Sequence, residues 1–400
     1  MGHRRSYDCI NICVFNAAAR TFSAVTSRVK RPAFHSLLTG ALLCTQLLTS
    51  VCQADEPGRY DDGARWAFIT DKTSAQVAVV DTFYHKHVDT LTMKAIPTMM
   101  EVSDVQDMLL YIDGKTPQVY VYDLVKKTHW AMAVESIPRS LAVAPDGARV
   151  AVALDNKLVM LAPLTNTYLE TIPNLSMPYS LNFDTGGYNL YITDQTSGKT
   201  KIWRVHDAAI TEIQLGSGGN VSEVTLSPDA RLVMVGDLVN NNVSVWDLFM
   251  EQEFARIPLQ STPWRPYVSS DSEHMILAAK NGQGLVVNTW TGQTVKSIDF
   301  KDTTTEIRTG WLESIGVVAT RSGLNIFNLT SKEAAKHFPL SAPLGDVVVV
   351  ADSKTLFATQ GGQSQLLVVD LRKERLLPAL ETGLKAPNLI AMGLTNTICH

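Results

Sequence analysis

Three arginines and two large aromatic residues stand at corresponding points of a repeated phrase, and residues of these types can hold a flat, negatively charged group. Arg139, Arg265 and Arg308 each follow a Pro or polar turn by one to four residues, and Tyr179 and Trp264 occupy the same kind of position. A guanidinium fork matches a carboxylate through two parallel hydrogen bonds, and a phenol or indole ring offers a stacking face. Thr98, Glu101, Ser222, Glu223, Glu306, Asp346 and Asn388 share those positions. The acids leave a second arrangement open, in which Glu101, Glu306 and Asp346 simply neutralise the arginines. The candidate ligand site is Arg139, Tyr179, Trp264, Arg265, Glu306, Arg308 and Asp346.

Catalytic patterns are missing elsewhere. No Gly-x-Ser-x-Gly elbow, His-Glu-x-x-His pair, phosphate-cradling loop or dinucleotide fingerprint occurs, and no Cys-x-x-Cys-His exists to attach a haem. The reading leans away from an enzyme. His85, His87, His129, His206, His274 and His337 fall on outer strands or on turns away from the arginines, so a haem at the candidate site would lack its usual axial imidazole. His85-x-His87 would place two imidazoles on one face of a strand, but no third ligand is placed and no metal site is assigned. Cys399-His400 reads as a disordered end. Asp71, Asp113, Asp194 and Asp237 recur after the second strand of their units, which suits side-chain to backbone bonding in turns better than a metal.

One period supplies the elements that position these residues. An apolar strand, a polar turn and a second apolar strand recur at Ala67, Leu109, Val150, Leu190, Val233, Ile276, Val317 and Leu356, 39 to 43 residues apart. Units of that length, rich in β-structure and unable to bury a core alone, make the blades of a propeller. In the first unit, 67–70 and 76–81 read as buried strands and 87–92 as an amphipathic third. Inner strands begin near Pro97, Pro138, Pro178, Asn220, Pro263, Thr304, Pro343 and Pro387. Proline suits a first strand residue, where the ladder does not yet need its missing N–H. The chain enters on an outer triplet and leaves on an inner strand, so 387–393 completes the first blade and closes the ring. The fold class is all-β, a propeller of eight four-stranded blades. Seven is the competing count, because the sixth and seventh units are the least regular. In such a ring the loops entering the inner strands converge on one tunnel mouth, where the candidate site lies.

Ahead of the repeats, Lys30 and Arg31 precede an apolar run at 37–48 that ends in Val51-Cys-Gln-Ala54 before Asp55. That is the pattern of a secretory signal cut after Ala54, with an apolar run too short to span a bilayer comfortably. The expected organisation is an extension and leader at 1–54, a lead-in at 55–65, one propeller at 66–394 and a tail at 395–400. Without the leader the chain holds 29 basic and 38 acidic residues, a net charge of −9 that repels nucleic acid. Four of the five cysteines leave with it, so only Cys399 remains, no internal disulfide forms, and a bacterial periplasm is the expected compartment.

Tyr191-Ile-Thr-Asp, Val243-Ser-Val-Trp-Asp-Leu, Gln76-Val-Ala-Val-Val-Asp and Pro138-Arg-Ser-Leu-Ala-Val-Ala-Pro-Asp-Gly resemble the YVTN-type bacterial propellers. That superfamily includes the haem-d domain of denitrifying nitrite reductases, the periplasmic maturation proteins of that cofactor and the heavy chains of amine dehydrogenases. The likeness covers residues 65–395 and lies in core and turn positions, so it implies a fold more than an activity. The residues favour an exported, periplasmic binding or scaffold protein that takes a protein partner or an anionic small molecule at the tunnel mouth. The resemblance implies two further expectations. One is a cofactor-handling protein in which Arg139, Arg265 and Arg308 hold the carboxylates of a haem-type tetrapyrrole; the other is a propeller subunit whose redox centre lies in a small partner chain. Recovered from the periplasm of a bacterial host, the protein should begin at Asp55 by N-terminal sequencing, and a chain retaining residues 30–54 would contradict the leader assignment.

Overall fold

The computed structural model describes Tyr60 and residues 65–103, 105–177 and 179–393. The segment expected to be a leader, most of the expected lead-in, Pro178 and the segment holding Cys399 and His400 lie outside the described residues. Every element described is a strand, and the strands form eight antiparallel sheets in a ring. Each sheet is one blade. The second and third strands of a blade, such as Met108–Ile112 and Gln118–Asp123, are buried along almost their whole length because each sheet lies between two others. That burial on both faces is why they read as apolar runs without alternation. Outer strands such as Thr167–Pro173 face solvent instead.

The apolar side chains collect into eight clusters, one between each pair of adjacent blades. Phe68, Val77 and Val79 of the first blade pack against Leu109, Tyr111 and Tyr120 of the second. The sixth and seventh units, irregular in sequence, make full four-stranded sheets, so the count is eight. The irregular blade is the eighth, whose outer edge is split into Arg375–Leu376 and Leu380–Glu381 around Pro378.

Short polar side chains shape the turns on both faces. On the mouth side Asp71, Asp113, Asp194 and Asp237 each accept the N–H groups two and three residues on. On the opposite face Asp81, Asp123, Asp247, Asn288 and Asn328 do the same after the third strand. Both rings are turn chemistry.

Closure joins the two ends of the propeller. Pro387–Met392 pairs antiparallel with Trp66–Asp71, with Ile390 opposite Ile69 and Ala391 opposite Phe68. Asp71 fastens the junction: its Oδ1 accepts the N–H of Thr73, and its Oδ2 accepts those of Lys385 at 2.8 Å and Ala386 at 3.0 Å. Burial pushes the Asp71 carboxyl up, but the Thr73 hydroxyl and the N–H groups of Ala386, Thr73 and Lys385 outweigh it and hold it at about 2. A carboxyl depressed in this way adds stability above the ordinary aspartate range, and that stability is lost as the pH falls toward 2. Asp71→Ala leaves those N–H groups unpaired and should cost about 3 kcal/mol in urea unfolding at pH 7. A loss below about 0.5 kcal/mol, the size of an ordinary surface change, would contradict the anchoring role.

Candidate functional site at the tunnel mouth

The inner strands of six blades run four to seven residues, but those of the fifth and sixth shrink to Thr225–Leu226 and Tyr267–Val268. Ahead of each, the chain keeps a single bridge, Val221 to Asp237 and Pro263 to Ala279, then leaves the ladder through Glu223 and Arg265. Pro263 and Pro266, lacking N–H groups, favour that departure. Gly236 accommodates it, since a Cβ there would come within 2.9 Å of Pro263. The bowed segments border a cavity of about 470 Å³ along the inner strands of blades two to six, lined by Glu101, Ser140, Asn182, Glu223 and Arg265 among others.

Charges along the tunnel are mostly paired. Arg308 donates from Nη1 to Glu306 at 2.6 Å and to the Ile307 carbonyl at 2.7 Å. Arg265 donates to Glu223 at 2.8 Å, and its other terminal nitrogen lies 3.9 Å from Glu306. Arg139 donates from Nε to Asp155 of its own blade at 2.8 Å, on the exposed rim. Asp346 accepts the N–H of Val347 at 2.9 Å and of Ile390 at 2.8 Å, so this carboxyl latches the eighth blade to the closing strand. Burial raises its pKa, against the pull of the Ile390 N–H and Arg308. Tyr179 is buried, with its hydroxyl 2.7 Å from the Leu154 carbonyl and 2.6 Å from that of Lys157. Trp264 is half-buried against Ile276, Ile307 and Val318. The pairing follows the second arrangement that the sequence left open. Each arginine holds an acid, and the rings pack between blades.

Glu101 is different. Half-buried on the tunnel wall, its carboxyl has no hydrogen-bond or ion-pair partner among the described residues. Removal from water, and then repulsion by Asp346, push it up to about 7. The acids Glu101, Glu223, Glu306 and Asp346 stand along the tunnel with two guanidinium groups, Arg265 and Arg308. The position of Glu101 was legible in the repeat; its isolation was not, because it depends on which acids the arginines choose.

No protein-family model and no curated protein sequence matches the chain. Solved structures do. Dihydro-heme d1 dehydrogenase NirN, in complex with DHE, superposes with a TM-score of 0.69 at 15% identity, over 82% of this chain and 75% of that one. This chain shares the eight-bladed propeller fold. A functionally unknown protein from Desulfotomaculum acetoxidans DSM 771 matches with a TM-score of 0.57 at 12% identity, over 82% of this chain and 99% of that one. A chain of the mitotic checkpoint complex matches with 0.52 at 16%, over 66% and 83%. At such identities the likeness is one of fold.

Within this propeller, His85, His206 and His274 lie in or beside turns of the face opposite the mouth, and His87, His129 and His337 lie on outer strands. None of these reaches the mouth. His85 sits in a left-handed turn with φ of 50° and packs its ring edge-on to Phe357, whereas His87 bonds Thr90 at 2.9 Å, so the pair does not share a strand face. Glu101→Gln should raise the melting temperature at pH 8 and raise it much less at pH 5. A carboxyl whose native pKa is raised binds its proton more tightly in the fold, and stability falls as the pH rises from the ordinary glutamate range through about 7. Equal effects at both pH values would contradict the isolation of this carboxyl.

Proposed function

We propose that this chain is an exported, non-catalytic binding protein whose tunnel mouth takes a cationic side chain of a partner protein. The observation that carries the reading is Glu101, a carboxyl without a partner in a cavity where each arginine already has its acid. An enclosed carboxyl is costly to ionise alone and gains most from a ligand that brings the opposite charge. The leader pattern supports export.

The shared fold favours a second reading, a propeller that handles a tetrapyrrole, since NirN is described in complex with DHE. The residues present do not fit that group. Carboxylates of a tetrapyrrole would compete with Glu223 and Glu306 for Arg265 and Arg308, and no described imidazole stands at the mouth to ligate iron. The same pairing disfavours an anionic small molecule.

Titration of the full chain with fluorescent penta-lysine separates these readings. The parent should bind, more tightly at pH 8 than at pH 6 because Glu101 must be ionised, and Glu101→Gln should weaken binding at least about ten-fold. No binding by the parent, or equal binding after Glu101→Gln, overturns the proposal. A Soret shift with hemin that Arg265→Ala weakens would establish the second reading instead.

A further inference from the structure

The turn from the inner to the second strand of blade six carries Asp271, Glu273 and His274 on the face opposite the mouth. One carboxylate oxygen from each acid and one imidazole nitrogen lie within 4.8 Å of one another. Asp271 and Glu273 are exposed, but His274 is only 9% exposed, and its Nδ1 is buried with no hydrogen-bond partner. A buried ring nitrogen left alone is uncommon and calls for a group that the chain does not supply. Blade seven adds a third carboxylate beside this corner. Glu313 accepts the N–H of Ser270 at 2.8 Å, and its Oε1 is buried without a partner.

The turn is already fastened. The Ser269 hydroxyl donates to Asp271 Oδ1 and accepts the N–H of His274 at 3.0 Å, while the N–H of Glu273 donates to the same Asp271 oxygen at 3.0 Å. Asp271 Oδ2 takes no hydrogen bond among the described residues, and the Glu273 side chain is exposed. Ligands about 2.0–2.2 Å from a metal stand some 3–3.6 Å from each other, a closing that rotation of two exposed acidic side chains can make. A set of one imidazole and two carboxylates suits borderline divalent ions, whereas Ca²⁺ and Mg²⁺ prefer oxygen alone.

We propose that Asp271, Glu273 and His274 form a binding site for a divalent transition-metal ion such as Zn²⁺, with water completing the coordination. The site is independent of the tunnel reading. The full chain, stripped with a chelator and dialysed, should take up one equivalent of Zn²⁺ in isothermal titration. Glu273→Gln and His274→Gln should each weaken that binding by more than about ten-fold, the lower end of what outer-sphere partners alone cost. Glu273 is exposed, so Glu273→Gln should keep the metal-free melting temperature and holds the test open if His274→Gln does not fold. No uptake overturns the proposal, and uptake unchanged by Glu273→Gln overturns it by placing the metal elsewhere.

Discussion

A blade of four strands cannot bury both of its faces, so everything in this molecule depends on the circle being complete. The junction of Trp66–Asp71 with Pro387–Met392 is where it becomes so, through strand pairing that joins the two ends of the propeller. Asp71 gives the junction its charge-assisted bonds, and Asp346 adds one across the neighbouring blade boundary by accepting from Ile390. Closure gives the first blade its fourth strand, and the same step brings Asp346 within electrostatic reach of Glu101 on the far side of the closing strand. Architecture and tunnel electrostatics therefore share residues.

Much of the fold was legible because its determinants are local and repeated. The spacing of Ala67, Leu109, Val150 and their successors marks strands that must be buried on both sides, and Asp71, Asp113, Asp194 and Asp237 mark the turns between them. Pro387 at the end of the chain betrayed the closing strand. Less was legible at the mouth. Arg265 reaches Glu223 where the inner strand of blade six leaves its ladder between Pro263 and Pro266, and the two prolines do not say which acid lies within reach. Tyr179 stands where a stacking ring would be placed, yet the carbonyls of Leu154 and Lys157 draw its hydroxyl into the wall. The convergence of Asp271, Glu273 and His274 arises within one turn, where neither the strand nor the helix period predicts which side chains meet.

The balance of charge along the tunnel then decides what kind of ligand the site suits. An arginine in water seeks an anion, but Arg308 and Arg265 are already committed to Glu306 and Glu223 at hydrogen-bonding distance. Breaking either pair to admit a new carboxylate would exchange one charge-assisted bond for another and leave a displaced acid in a confined space. Glu101 has no such prior commitment. Its cost of ionisation is an unfavourable contribution to the empty fold that a cationic partner can relieve, which links the stability of the propeller to the chemistry of its mouth.

Amide hydrogen exchange read by mass spectrometry tests the closed ring most directly. If the last strand is a full member of the first blade, peptides covering 387–392 and 66–71 should exchange together, at the slow rate set by global opening of the propeller. Rapid exchange of 387–392 while 66–71 stays protected would show a ring left open at this seam, and the arrangement of tunnel charges built on it would fall.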